Sequence, residues 1–139
     1  MSDYLLDTCA LSEFTKPRPN PAFAHWFESV PEHCLYLSVL SIGELQKGVL
    51  KLTDGQRKVD LTLWLHAVET SFADRLLHLD LLSAKRWGER VAALEQTGKK
   101  PAAIDSLIAA TALQHQLTLV TRNTADFQYF GVQLLNPWQ

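Results

Sequence analysis

Two hydrophobic periods alternate along the chain. Short apolar runs at Tyr4 to Leu6, Leu35 to Leu37, Leu76 to Leu79, Leu117 to Thr121 and Val132 to Leu135 suit buried parallel strands. The stretches between them repeat at the helical spacing. Cys9 to Phe14 can turn into a short helix, and a loop of Lys16-Pro17-Arg18-Pro19 leads to an N-cap at Asn20 with Pro21 in the first turn. The helix that follows carries Phe23, Trp26, Phe27 and Val30 on one face. Val39 to Leu52 shows the stripe Ile42, Leu45, Val49, Leu52, and Gln56 to Thr70 turns Leu61, Leu65 and Val68 inward, with Trp64 nearby. Asp80 caps a further helix that runs to Thr97 and stops at Gly98. Ile104, Leu107, Ile108, Thr111 and Ala112 then fall at i, i+3, i+4, i+7 and i+8 of a helix that leads into the Leu117 strand. This alternation predicts a single α/β domain over residues 1–139, a mostly parallel central sheet of about five strands flanked by helices, with right-handed crossovers.

The same layout gathers acids at one rim. Asp7 ends the first strand, and Glu44 lies about one turn into the helix after the second. Asp105 opens its helix, and Asp126 follows the fourth strand. In open α/β sheets ligands bind outside the carboxyl ends of the strands. Each acid has a structural explanation of its own. Asp7 can cap the next helix, Ser41 and Glu44 match an S-x-x-E capping box, Asp105 suits the positive end of its helix, and Asp126 suits a turn. Taken together they are four like charges, which repel unless some take up protons or a cation joins them. Mg2+ and Mn2+ prefer such oxygen ligands, and at a phosphodiester they generate hydroxide and stabilise the leaving oxygen.

Composition narrows the choices. The chain has 139 residues, 47% hydrophobic and 20% charged, with no low-complexity tract or repeat, as one ordinary globular domain requires. The formal charge of -2 rules out a global basic field, so contact with nucleic acid needs a local patch. Lys47 and Lys51 on the Glu44 helix, Lys99 and Lys100 just ahead of Asp105, and Arg122 are the candidates. Each lysine suits a solvated face equally well, Lys47 as an i, i+3 partner of Glu44. With no basic leader and no run of about 18 apolar residues, the reading is cytoplasmic, with no membrane contact. Cys9 and Cys34 lack framework spacing and are expected to be structural thiols, and the His residues show no zinc pattern. Neither G-x-S-x-G nor a glycine-rich nucleotide loop occurs. A phosphoryl-accepting domain of the receiver or phosphatase kind also gathers acids at strand ends. Here, however, Asp7 is followed by Thr8-Cys9 rather than a second acid, and Arg122 stands where a lysine is needed.

Four motifs in order, LLDT at the first strand, SVLSIGEL from Ser38, DSLIAATA from Asp105 and LVTRNTADF from Leu119, resemble a PIN domain, specifically the VapC and FitB-like toxins of prokaryotic toxin-antitoxin pairs. The KPRPNP loop and the terminal NPW fit as well, so the resemblance covers essentially the whole chain. It implies an endoribonuclease dependent on Mg2+ or Mn2+, with Asp7, Glu44, Asp105 and Asp126 holding the metal and activating water. Thr8, Thr121 and Asn123 match positions that support these acids through hydrogen bonds. Cys9-Ala10 departs from the pattern, where many relatives have Asn or Ser after Asp-Thr, and this is expected to remove a polar contact beside Asp7. A homodimer, an RNA substrate and a small DNA-binding cognate antitoxin, whose tail fills the acidic groove, are implied too. The alternative is an antitoxin-bound module that helps bind operator DNA and has weak or silent nuclease activity.

Overall fold

The computed structural model describes residues 2–139. Five short strands form one sheet: β1 (Tyr4–Leu6), β2 (Leu35–Ser38), β3 (Leu76–Leu77), β4 (Thr118–Val120) and β5 (Leu134–Leu135). Their order is β3-β2-β1-β4-β5 and every neighbouring pair is parallel. Leu5 pairs with Tyr36 on one side and Leu119 on the other, and Leu6 with Leu37 and Val120. The chain thus builds outward from β1 to β3, then returns to the centre to place β4 and β5 on the opposite side. The reversal falls between β1 and β4, and at such a switch point the loops leaving the two strands diverge and open a crevice.

Among the described residues seven helices cover the sheet: α1 (Thr8–Ser12), α2 (Pro21–Ser29), α3 (Val39–Leu50), α4 (Gln56–Ser71), α5 (Leu81–Gln96), α6 (Ala103–Gln114) and α7 (Thr124–Phe127). Because side chains alternate along a strand, Leu5 and Leu119 enter one core with Ile108, Ala109 and Ala112 of α6 and with Trp87, Val91 and Leu94 of α5. Leu6, Leu37 and Val120 enter the other, with Ala10, Leu11, Phe23, Trp64 and Val68. Both faces of the sheet are therefore dry. Truncating Leu5 or Leu6, each fully buried, carries the roughly 2–5 kcal/mol typical of a core cavity.

The periodicity located the elements and missed some ends. β3 stops at Leu77, with Leu79 39% exposed, and β5 begins only at Leu134; both are edge strands with a partner on one side alone. In α6 burial extends beyond the expected stripe. Ser106, Ala109 and Ala110 are buried while Ile104 is 37% exposed, because the helix lies between the sheet and α5. Small residues permit that close approach. Trp87 Nε1 donates to Ser106 Oγ at 2.9 Å and ties α5 to the start of α6.

One acid without a sequence signature organises the N-terminal half. After α1 the chain tightens into a 3-10 turn at Glu13–Thr15, and the Glu13 carboxylate is only 3% exposed. It accepts from the Asn20 backbone N–H at 2.7 Å and from Lys16 Nζ and Trp138 Nε1, both at 3.0 Å. Burial alone pushes its pKa up. Hydrogen bonds from Trp138, Asn20 and Lys16, with the Lys16 charge, outweigh that and hold it at about 2. Trp138 also stacks on Phe23, ring centroids 4.6 Å apart, so β5 and the residues beyond it are fastened to α1 and α2. Among the described residues no helix is long and apolar enough to cross a membrane.

Candidate active site

Asp7 stands where β1 gives way to α1. Its N–H donates to Val120 O at 3.1 Å, extending the β1–β4 ladder by one residue, and its side chain caps α1 by accepting from Ala10 N at 2.9 Å. The capping role read from the sequence is therefore real. The residue is 7% exposed, and burial raises its pKa against the opposing hydrogen bonds from Cys9, Thr121 and Ala10.

Cys9 corrects one expectation. Its thiol lies 2.9 Å from Asp7 Oδ1, so the Cys9-Ala10 departure supplies a contact rather than removing one. Burial, the Asp7 charge and the bond to Asp7 push the thiol pKa up to about 12, which keeps the proton on sulfur as a weak donor. The sulfur in turn accepts from Arg122 N at 3.5 Å and lies 3.9 Å from Thr121 Oγ1. Thr121 is fully buried and accepts from Asn123 N at 3.1 Å, and the Asn123 carbonyl accepts from Asp126 N at 3.0 Å. Asn123 thus acts through its backbone; its side chain does not cap α7. A continuous path of bonds links Asp7 across the switch point to Asp126.

Glu44 is held from α1. The S-x-x-E box does not form, because α3 starts one turn earlier, with Ser38 Oγ accepting from Leu40 N at 3.0 Å. That leaves Ser41 buried inside the helix and Glu44 available. Thr8 Oγ1 is 2.5 Å from Glu44 Oε1 and 3.0 Å from Ser41 Oγ. A carboxylate can only accept, so the single Thr8 proton serves Glu44. Lys47 does not pair with Glu44 among the described residues.

Asp105 is exposed in the first turn of α6, and α6 runs antiparallel to the strands, so this turn lies at the same rim. Neighbouring chain removes part of the water around its carboxyl, which raises its pKa first, and the charges of Glu44, Asp7 and Asp126 raise it further. Asp105 thus stands within reach of the charges of the other three. Between the start of α6 and α7 lies a cavity of about 290 Å³ lined by Asp105, Asp126, Lys100 and Ser106, with Phe127 and Phe130 among its walls. Asp7 and Glu44 lie outside its lining. Among the described residues no three donors are gathered closely enough to hold an ion as they stand. The donor set is nevertheless the kind a hard cation takes, carboxylate oxygens, two of them on exposed side chains.

The basic candidates are scattered. Lys47 and Lys51 are exposed along α3, Lys100 lines the cavity, and Lys99 Nζ sits 4.5 Å from the Tyr129 ring centroid. The Arg122 guanidinium lies 5.8 Å from the centroid of Trp138.

Residues 4–131 match the PIN domain family. The chain belongs to that family. This PIN domain is 38% identical over 135 residues to Toxin FitB of Neisseria gonorrhoeae, spanning 96% of the chain and 97% of the relative. It is 31% identical over 139 residues to the VapC ribonuclease Y4jK of Sinorhizobium fredii, spanning 97% of each. The solved structure of FitAB bound to an IR36 DNA fragment contains a chain that superposes with a TM-score of 0.92 at 35% identity, covering 98% of this PIN domain and 96% of that chain.

Proposed function

We propose that this PIN domain is a Mg2+- or Mn2+-dependent endoribonuclease and the toxin of a toxin-antitoxin pair. The observation that supports the reading is geometric: Asp105 and Asp126 line one cavity, hydrogen bonds run from Asp126 through Asn123, Thr121 and Cys9 to Asp7, and Thr8, next to Asp7, holds Glu44. These four would hold the ion. Bound there, it supplies Lewis acidity toward a phosphoryl oxygen and lowers the pKa of a water. The chain's own residues prepare the rest. Ala10 N–H and Cys9 fix the Asp7 carboxylate, and Thr8 fixes that of Glu44. Thr121 and Asn123 set the turn that presents Asp126. Asp105 and Asp126 lie exposed, where a phosphodiester can approach, with Lys100 beside them to attract its charge. Lys47, Lys51, Lys99 and Arg122 are candidates for flanking phosphates.

Similarity to a protein named a VapC ribonuclease supports RNA as substrate, and similarity to Toxin FitB supports the toxin role. The FitAB complex with DNA supports a DNA-binding cognate antitoxin as partner. A homodimer and a cytoplasmic location belong to the same reading. That complex also favours the second reading, a module of an operator-binding assembly with weak nuclease activity.

Purified protein is expected to cut mixed cellular RNA with Mg2+ or Mn2+ and to stop on addition of EDTA. Folded, antitoxin-free protein that cuts nothing under either metal, while its antitoxin complex binds operator DNA, would favour the module. A second readout needs no substrate. Mn2+ should raise the thermal midpoint of the wild-type protein by relieving repulsion, and should raise it less in Asp7→Asn. Equal shifts in both would place the ion elsewhere. Thr8→Val keeps the shape of the side chain and deletes the donor to Glu44. A loss of roughly 10–100-fold in cleavage is expected with an unchanged far-UV spectrum, as is typical when a group that orients a ligand is removed.

A further inference from the structure

Beside the acidic cavity runs a second groove of about 250 Å³, bounded by Lys99, Lys100 and Pro101 on one side and by Asp126, Tyr129 and Phe130 on the other. The two adjoin, with Lys100, Pro101, Asp126 and Phe130 lining both. Both walls are rigidly placed. α5 ends with Gly98 at φ 83°, Gly98 N–H on Glu95 O and Lys99 N–H on Leu94 O, both at 3.0 Å, a double closure that sets the direction in which Lys99 leaves the helix. On the far side Phe130 N–H donates to Phe127 O at 3.0 Å, and Gly131 at φ 90° turns the chain with the Arg90 guanidinium packed where a Cβ would sit. Tyr129, held between these turns, is 62% exposed. The Lys99 ammonium lies over its ring, 4.5 Å from the centroid.

An exposed aromatic ring, two lysines and an opening onto the acids is the combination that single-stranded nucleic acid recognises, since every base has a face to stack and every linkage a charge to neutralise. We propose that this groove is a nucleobase subsite, in which Tyr129 stacks one unpaired base of the RNA beside the phosphodiester to be cut while Lys99 and Lys100 hold the adjoining phosphates. An ammonium over an exposed ring is weakly held, so a base displaces Lys99 readily, and the freed cation becomes available to the backbone. The subsite selects unpaired RNA, because a base within a duplex cannot reach the ring.

This inference rests on the ribonuclease reading, and the experiment separates the two. Binding of a fluorescent single-stranded oligoribonucleotide is measured by anisotropy in EDTA across a salt series, with cleavage in Mn2+ measured alongside. Tyr129→Ala and Tyr129→Leu should each weaken binding about tenfold with an unchanged salt slope, whereas Tyr129→Phe should bind as the wild type. Lys99→Gln should instead flatten the slope by somewhat under one unit. Wild-type protein that binds and cuts RNA, with Tyr129→Ala equal to it in both assays, would overturn the subsite alone. Tyr129→Leu binding as well as Tyr129→Phe would also overturn it, because leucine offers no face to stack. RNA affinity unchanged in Tyr129→Ala but antitoxin affinity lost would reassign the groove to a protein partner. Wild-type protein that neither binds nor cuts RNA would overturn both readings.

Discussion

Asp105→Asn is expected to abolish RNA cleavage without lowering the thermal midpoint in EDTA. The activity loss should exceed the roughly 10–100-fold seen when a residue that merely orients a metal ligand is changed. The stability side follows from the sign of the pKa shift. The Asp105 carboxyl is raised by burial and by Glu44, Asp7 and Asp126, so the native state binds its proton more tightly than the unfolded chain does. Stability from this group is greatest below the ordinary carboxylate range and declines as pH rises through the raised native value. At neutral pH the charge opposes folding, and Asn removes the opposition. Against this stands the favourable interaction of an acid with the start of α6, about 0.3–1 kcal/mol at an exposed position. The two are small and opposite. Asp7→Asn should gain more, because Asp7 is buried and its burial raises its pKa, while Asn caps a helix as well as Asp does. Calorimetry over a descending pH series from neutrality checks both variants, and their advantage over wild type should shrink as pH falls through the raised native values toward the ordinary carboxylate range. A fall of more than about 5 °C in both variants in EDTA, on the order of 1–2 kcal/mol, would show that these acids serve the fold rather than a ligand.

Glu13→Gln is expected to be the most destabilising conservative change in the chain, by about 2–4 kcal/mol, or on the order of 10 °C. Three donors converge on the carboxylate, and an amide can accept on its oxygen alone, so its NH2 must face donors that have no lone pair to offer. The pH dependence is opposite in sign to that of Asp105. Glu13 is depressed from 4.5 to about 2, so its contribution is complete above pH 4.5 and is lost as pH falls toward 2. Urea melts of the two proteins should therefore converge over that acid limb. A variant within 1 kcal/mol of wild type at pH 7 would mean that the network adds little to the fold.

The acids were legible because the strands that deliver them are. Asp7 and Asp126 follow apolar runs, and Asp105 opens a periodic helix, so sheet geometry alone sends them to one rim. Glu44 was legible as a position but ambiguous in role. Ser38 and Ser41 stand three residues apart; Ser38 caps α3 through Leu40 N, and Thr8, brought across from α1, then holds Glu44. The role of Cys9 is hidden because a thiol usually packs as a small hydrophobe; its bond to Asp7 is local, and only its contacts with Thr121 and Arg122 depend on β1 and β4 being neighbours. Glu13 had no signal at all. Its decisive partner, Trp138, lies 125 residues away, and no periodicity spans that distance. The exposure of Ile104 was hidden for a similar reason, since a hydrophobic stripe indicates which residues can be buried and not how many surfaces will cover them.

The position of β1 at the middle of the sheet has a consequence for how the chain is made. Tyr4 needs Thr118 beside it, and Glu13 needs Trp138. A ribosome adding roughly 5–20 residues per second leaves the first strand without its inner neighbour for several seconds. Throughout that interval Asp7 and Glu44 exist without Asp105 or Asp126, so the nascent chain carries half of the acidic rim. The exposed Leu5–Leu6 edge of that unfinished sheet is the surface a nascent-chain chaperone would have to shield.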